Sequence, residues 1–135
     1  MQQTELDALM VQTANDATTI AKDEFGKDLD FSAASIDAVD DILLAFIDKY
    51  HDKALEDSAV FTICNVFGAY IGETFKRAAG GTWRYDQTDP QAPFVVLDYG
   101  DKSYAFAGIC YERLVNDSQV STRLYFESAL ENHRQ

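Results

Sequence analysis

The hydrophobic pattern of the chain is organised around one stretch, residues 59–77. From Ala59 to Ile71 nearly every side chain is apolar, so no polar stripe marks an exposed face. A helix that is hydrophobic on all sides has to be covered by other elements. Ser58 is a candidate N-cap, and the Gly80-Gly81 pair is a stop signal. The pattern therefore predicts a central buried helix.

Two glycines, Gly68 and Gly72, lie one turn apart in this predicted helix. Each costs about 1 kcal/mol relative to alanine in a helix interior. We expect another backbone, from a strand or a helix, to approach them closely, and a ligand contact is the less favoured explanation. Asn65 needs hydrogen-bond partners if it is buried, and Glu73 is expected to pair with Arg77 one turn later.

Amphipathic patterns predict two helices before the central helix. The first runs from Thr4 to Phe25, with Gly26 just past its end. The second runs from about Ala33 to Tyr50, with Ser32 as its N-cap. The apolar stripe of the first helix consists of Leu6, Leu9, Met10, Ala17, Ile20 and Ala21. The core-facing side of the second consists of Ile36, Val39, Leu43, Phe46, Ile47 and Tyr50.

Beyond the central helix the hydrophobic period changes to two residues, which is typical of strands. Residues 82–86 place Trp83 and Tyr85 on one side, and residues 94–97 are rich in β-branched and aromatic side chains. A turn at residues 98–101 leads into alternating residues 103–107. The pattern predicts an antiparallel meander of at least three strands.

The C-terminal part of the chain predicts a final helix. Residues 108–117 fit either a strand end followed by a helical turn or a loop. Ser118 is the candidate cap of a helix that ends at about Asn132, with His133 and Arg134 at its C-terminal end. The residues expected to face inward are Val120, Leu124 and Leu130.

The predicted fold class is α+β: N-terminal helices and a central buried helix packed on a small antiparallel sheet, with a C-terminal helix. A length of 135 residues and a hydrophobic content of 47% fit a single domain over residues 1–135. Cys64 and Cys110 read as buried thiols without metal-ligand spacing, although a disulfide is an alternative. Residues 1–6 contain no signal-peptide pattern, so we expect a reducing, cytoplasmic location.

The charge of the chain is strongly negative and unevenly distributed. The net charge is -12. Residues 1–58 carry 14 Asp and Glu against 4 Lys and Arg, whereas residues 59–135 carry 9 against 7. Such a surface repels nucleic acid and anionic membranes and suits a basic protein partner. General solubility is the alternative, but it does not require the charge to be segregated.

One face of the second predicted helix gathers these charges. At about 100° per residue, Asp37, Asp41, Leu44 and Asp48 fall on one exposed stripe, and Asp52 extends it beyond the helix. Carboxylates around an apolar centre suit a partner-binding surface for a cationic protein. The alternative is a merely solvated helix face, which is the usual reading of such a charge run.

The sequence contains none of the familiar catalytic motifs, such as G-x-S-x-G, a P-loop, H-E-x-x-H or a dinucleotide fingerprint. His51 and His133 read as helix-end charges, and Asp37, Asp40 and Asp41 are expected on a solvated face. We therefore expect no enzyme activity, no cofactor and no metal. A hydrolytic enzyme that uses Glu73 is a remote alternative.

Several blocks of the chain resemble a known group of proteins. They are Gly68-Ala-Tyr-Ile-Gly-Glu73, Gly80-Gly81-x-Trp83, Tyr111-Glu-Arg-Leu114, Ser118 and Tyr125-Phe126-Glu127. They look like small acidic bacterial cytoplasmic proteins of uncharacterised function, some of which are thought to be immunity proteins of toxin-immunity systems. The resemblance covers roughly residues 30–127. It implies a fold and brings no catalytic residues with it.

The segregated acidic charge and the absence of catalytic motifs predict a non-catalytic inhibitor, an immunity protein that covers the active site of a basic toxin domain such as a nuclease. Its predicted partner-binding residues are Asp37, Asp41, Leu44, Asp48 and Asp52. The alternative is a cytoplasmic scaffold or small-ligand-binding domain. That alternative would use a pocket between the sheet and the central helix, lined by Tyr70, Trp83, Tyr85 and Tyr104.

Overall fold

The computed structural model describes residues 2–52, 55–88 and 94–132. In these ranges the helices are α1 Gln3–Phe25, α2 Ile36–His51, α3 Asp57–Ala78, α4 Phe106–Tyr111 and α5 Thr122–Glu131. The strands are β1 Thr82–Asp86, β2 Phe94–Tyr99 and β3 Lys102–Tyr104. A 3₁₀ turn, Ala33–Ser35, precedes α2, and a π-helical turn, Glu112–Asn116, follows α4. The predicted α+β class is confirmed. The side chain of Tyr50 and residues His133 and Arg134 lie outside the described part.

Helix α1 packs on α3 through a stripe of small and apolar side chains. It begins one residue before the predicted start and ends at Gly26, whose φ of 64° fits a glycine cap. Leu9 was predicted on the buried stripe but is 47% exposed, because no other element covers that flank of the helix. The buried residues are Leu6, Met10, Ala14, Ala17 and Ala21.

Helix α2 follows its predicted cap and core pattern. The Ser32 hydroxyl oxygen accepts a hydrogen bond from the Ser35 backbone N–H at 3.2 Å, and the chain passes through the 3₁₀ turn into α2. The predicted core positions of this helix with described side chains are all buried. They are Ile36, Val39, Leu43, Phe46 and Ile47.

Helix α3 is the central helix. Ser58 is not its N-cap, because the helix begins at Asp57 with Glu56 in the cap position. Every residue from 66 to 75 is buried, as predicted. The first two turns are not covered on all sides, since Phe61 is 56% exposed and Asn65 is also exposed. Asn65 therefore does not need the buried partners that were considered for it.

The two glycines of α3 are sites of close approach. A Cβ at Gly68 would lie 2.6 Å from the backbone N and Cα of Ala107, so the predicted backbone neighbour is confirmed at this position. At Gly72 the neighbour is a side chain, because a Cβ there would overlap the indole ring of Trp83. Gly68 thus makes room for α4, which follows the sheet. Gly72 makes room for β1, the first strand of the sheet.

The sheet is antiparallel with strand order β1-β2-β3, which confirms the predicted meander. Strand β2 continues to Tyr99, two residues beyond the predicted end. Residues 105–107 were predicted as strand, and this is wrong, because α4 begins at Phe106. The contact of Ala107 with Gly68 explains the helix, since α4 packs on α3 there.

The C-terminal segment is more helical than predicted. Residues 106–116 form α4 and the π-helical turn, so neither predicted alternative for residues 108–117 is correct. Ser118 does not cap the last helix. The cap is Ser121, whose hydroxyl oxygen accepts a hydrogen bond from the Leu124 backbone N–H at 3.1 Å. Leu130 is buried as predicted, but Leu124 is 65% exposed. The helix turns Phe126 inward instead.

Candidate functional site

The exposed side of α2 carries the predicted partner-binding residues. We call Asp37, Asp41, Leu44, Asp48 and Asp52 the acidic face. All five residues are exposed, and Leu44 is 48% exposed. The first four lie on α2 and Asp52 follows its last residue, as the helical spacing predicted. The structure thus presents one apolar side chain among four carboxylates.

Two of these carboxylates have cationic neighbours. Asp37 pairs with Arg123 of α5, and Asp41 lies 3.7 Å from the Lys27 ammonium. The side chains of Asp37 and Asp41 are 59% and 65% exposed, so each pair is worth only about 0–1 kcal/mol. Within the described ranges, Asp48 and Asp52 make no ion pair. Both internal pairs are therefore weak and open to solvent.

Asp40 is not part of this surface. It was expected on a solvated face, but its side chain is only 13% exposed. The carboxylate accepts hydrogen bonds from the Thr122 backbone N–H at 2.9 Å, the Thr122 hydroxyl at 2.7 Å and the Ser121 hydroxyl at 2.9 Å. These donors are the first groups of α5, so Asp40 caps that helix from the side of α2.

Arg113 completes the contact between α2 and α5. Its guanidinium donates to the backbone oxygens of Ser118 and Val120, both at 2.7 Å, and to that of Asp40 at 3.0 Å. Its Nε also lies 3.4 Å from the Asp40 carboxylate, and the Arg113 side chain is only 11% exposed. The helix that bears the acidic face is therefore held to α5 by a partly buried polar network.

Glu73 has a different partner from the predicted one. Its carboxylate accepts a hydrogen bond from the Trp83 indole N–H at 2.7 Å, and the Lys76 ammonium lies 4.0 Å away. Arg77 instead stacks on the ring of Phe31, with 3.7 Å between the guanidinium carbon and the ring centroid. The contacts of Glu73 hold β1 on α3, which is a structural role.

The predicted aromatic pocket is corrected by the structure. Tyr70 is fully buried, and its hydroxyl accepts from the Phe31 backbone N–H at 2.8 Å and lies 2.6 Å from the Ser35 hydroxyl. Burial raises the pKa of Tyr70. Tyr104 is buried among other aromatic rings. Neither lines an open space, because both fill the core.

The open space lies on the other side of α3. A groove of about 890 Å³ runs between α1, α3, β1 and the segment from α4 into the π-helical turn. We call it the apolar groove and define it by Leu9, Phe61, Gly68, Tyr85, Tyr111 and Glu112. Of the four predicted pocket residues, only Trp83 and Tyr85 reach it.

Large apolar side chains converge on the apolar groove from three elements. Leu9 of α1, Phe61 of α3 and Tyr85 of β1 are 47%, 56% and 41% exposed. The Phe61 ring stacks on Tyr111 with 5.6 Å between centroids and 9° between ring planes. Phe61 belongs to the apolar run that predicted complete burial, so the sequence pattern concealed its exposure.

Both cysteines are free and buried, as predicted. Burial raises the pKa of Cys64 to about 12 and that of Cys110 well above its usual value. A thiol that stays protonated is a poor nucleophile. Cys64 lines the apolar groove as an apolar surface rather than as a reactive group.

The exposed face of the sheet carries a charge-paired cluster. Arg84 donates to both carboxylate oxygens of Asp98, at 2.7 and 3.3 Å, and to Asp86 at 3.1 Å. The hydrogen bond from Arg84 lowers the pKa of Asp98, and hydrogen bonds from Thr88 together with Arg84 lower that of Asp86. Arg84 is thus shared between two carboxylates, so the cluster as a whole keeps one negative charge.

Within the described ranges, no group of three or more His, Cys, Asp or Glu side chains is placed to hold a metal ion. None of the helices in the same part of the chain combines the length and the apolar character needed to cross a bilayer. Comparison of the chain with protein-family models, curated proteins and solved structures finds no match.

Proposed function

We propose that this protein is an immunity protein: a non-catalytic inhibitor that acts in the bacterial cytoplasm by binding a basic toxin domain. The observation that carries the proposal is the acidic face, with Leu44 exposed at its centre. It lies in residues 1–58, where acidic residues outnumber basic ones by 14 to 4. A nuclease domain would be such a basic partner, because a domain that binds nucleic-acid phosphates is itself basic.

Charge and apolar contact would contribute to partner binding in different ways. The carboxylates would speed the encounter with a cationic surface and select against acidic partners. Leu44 would supply the desolvated centre that a tight complex needs. The partly buried Asp40–Arg113 network keeps α2 in place, so little ordering would be required on binding. The same negative charge disfavours nucleic acid and anionic membrane as partners.

The test begins with the gene next to the one that encodes this protein. A reading frame for a protein that ends in a basic domain supplies the candidate toxin, and the two products should co-purify. Absence of a complex with such a domain, measured by calorimetry with the full chain, would reject the immunity function.

Charge reversal then locates the surface. The triple variant Asp37→Lys, Asp41→Lys, Asp48→Lys should bind the partner about 100-fold or more weakly, because each pair becomes repulsive. The matched control reverses Asp16, Asp23 and Glu24 on the exposed side of α1, which changes the net charge equally. It should weaken binding by less than about tenfold through long-range attraction alone. Equal losses in the two variants, with native circular dichroism, would reject the acidic face.

A further inference from the structure

The apolar groove has the shape of a small-molecule site. Its volume of about 890 Å³ lies in the range of roughly 300–1,000 Å³ that is usual for ligand pockets. Its walls come from α1, α3, β1, β2, α4 and the π-helical turn. Gly68 and Gly108 are among its lining residues. This site shares no residue with the acidic face.

Folding leaves apolar surface exposed in this one concave place. The described part of the chain exposes six large hydrophobic side chains, and Leu9, Phe61 and Tyr85 all line the groove. Covering them with an apolar body would remove that surface from water, which is favourable in proportion to the area. Apolar patches of this kind mark binding sites more often than scattered single residues do.

Glu112, Thr13 and the aromatic faces of the groove favour a cation, whereas the Asn65 amide, which also lines it, can both donate and accept. Among the described residues that line it, Glu112 alone carries a charge, and it makes no ion pair within the described ranges. Thr13 also lines the groove, and its hydroxyl hydrogen is used in a bond to the Leu9 carbonyl at 2.7 Å, which leaves an oxygen that can only accept. The stacked rings of Phe61 and Tyr111 present π faces that attract positive charge.

A second copy of the chain is a poor occupant for this site. Each copy carries a net charge of -12, so association brings like charges together. The groove is also concave, whereas the surface of another copy would have to project into it. A compact ligand meets both the shape and the charge.

We propose that the apolar groove binds a small organic cation, an amine with a planar or otherwise apolar body. The apolar body would lie against Leu9, Phe61 and Tyr85, and the ammonium group would lie by Glu112. The site is independent of toxin binding, so either proposal can fail without the other.

The test uses the full chain and three probes with one skeleton: phenylbutylamine, phenylbutanol and phenylbutanoate. Binding is followed by amide NMR, with the backbone signals of Gly68 and Gly108 as reporters from within the groove. We expect the amine to bind most tightly, the alcohol less tightly and the carboxylate least. The Gly68 and Gly108 signals should shift with the amine at millimolar concentration.

Two pairs of variants separate charge from apolar contact. Glu112→Gln should weaken binding of the amine about threefold and leave binding of the alcohol unchanged. Glu24→Gln, in the last turn of α1, should change the binding of neither probe. Phe61→Ala should weaken binding of both the amine and the alcohol about tenfold, because the contact with the ring is lost. Leu124→Ala removes a side chain that is 65% exposed and lies outside the groove, so it should change neither.

Three results would overturn the proposal. Equal loss of amine binding in Glu112→Gln and Glu24→Gln would mean general attraction to an acidic protein. Phenylbutanoate binding as tight as that of the amine would reject the cationic class. Shifts of Gly68 and Gly108 with a basic amphipathic peptide but with none of the three probes would make the groove a protein-binding surface instead.

Discussion

The tightest constraint on any single residue in the structure is the position of Trp83 on α3. Its indole is only 2% exposed, it donates to Glu73, and its ring fills the space that a side chain at Gly72 would occupy. Glu73 and Gly72 are neighbours in the helix, so one turn supplies both the hydrogen-bond acceptor and the space. Burial of the large ring offsets the helix propensity that glycine lacks.

Gly72→Ala should therefore destabilise the protein, although alanine is the better helix former. Overlap with the indole should cost about 1–3 kcal/mol of unfolding free energy in urea. The control is Gly108→Ala in α4, where the nearest heavy atom would lie 3.6 Å from the new Cβ. There the same change should stabilise the protein by about 0.5–1 kcal/mol. A Gly72→Ala protein as stable as the native one would contradict the position of Trp83.

Sequence reasoning reached the glycines but not their neighbours. The energetic cost of Gly68 and Gly72 shows that close approach is needed, and this follows from local physics alone. It does not say which group approaches, because that group comes from another element. The predicted pairing of Glu73 with Arg77 failed for the same reason, since Trp83 and Phe31 offered each residue a better contact than the surface pair.

At the scale of elements, Asp40 makes most of the polar contacts between α2 and α5. Asp40 caps α5 and also pairs with Arg113, which itself holds the segment that leads into α5. Its neighbour Asp41 belongs to the acidic face and is exposed to water. Of these two adjacent aspartates, Asp40 stabilises the fold, whereas Asp41 belongs to the proposed binding surface.

Asp40→Ala should destabilise the protein by about 2–4 kcal/mol, because α5 loses its cap and Arg113 keeps a charge without a carboxylate partner. Asp41→Ala is the matched control and should cost less than about 1 kcal/mol, as it loses only an exposed ion pair. Urea unfolding of both variants measures the difference. Similar small losses in the two proteins would show that Asp40 is not a structural residue.

Most elements were predictable because a repeating pattern defines them. Helices α1 and α2 and strand β1 follow periodicities that need no knowledge of the partner, and α3 is marked by a continuous apolar run between stop signals. The error at residues 105–107 arose where Tyr104 and Phe106 continue the alternation of β3 although Ala107 packs as a helix on Gly68. Leu124 was wrongly predicted to face inward because the start of α5 was misplaced. That start is fixed by Asp40, a contact across 82 residues that the local sequence does not show.

For the whole molecule, the acidic face and the apolar groove are separate surfaces. The acidic face lies on and just beyond α2, whereas the apolar groove is formed by α1, α3, β1, β2, α4 and the π-helical turn. The acidic face could be predicted because exposure follows from helical phase. The groove could not, because it depends on how far neighbouring elements extend along α3. The predicted aromatic pocket had the right helix and two of its four residues.

Repulsion among the excess carboxylates should make the stability of the molecule depend on salt. Raising KCl from a few millimolar to about 0.5 M should raise the melting temperature by about 2–5 °C, because added ions screen the repulsion in the compact state. The variant with Asp16, Asp23 and Glu24 changed to lysine, which lowers the net charge from -12 to -6, should gain less. An equal gain in both proteins would attribute the effect to apolar burial rather than to charge.

The bonds of Asp40 also set an order of events during synthesis of the protein. Their donors lie 81–83 residues later in the chain, so α2 leaves the ribosome long before its partner exists. Contacts of such separation form late, since a long loop must close first. The nascent chain therefore holds α2 without these contacts until residues 121–123 have been translated.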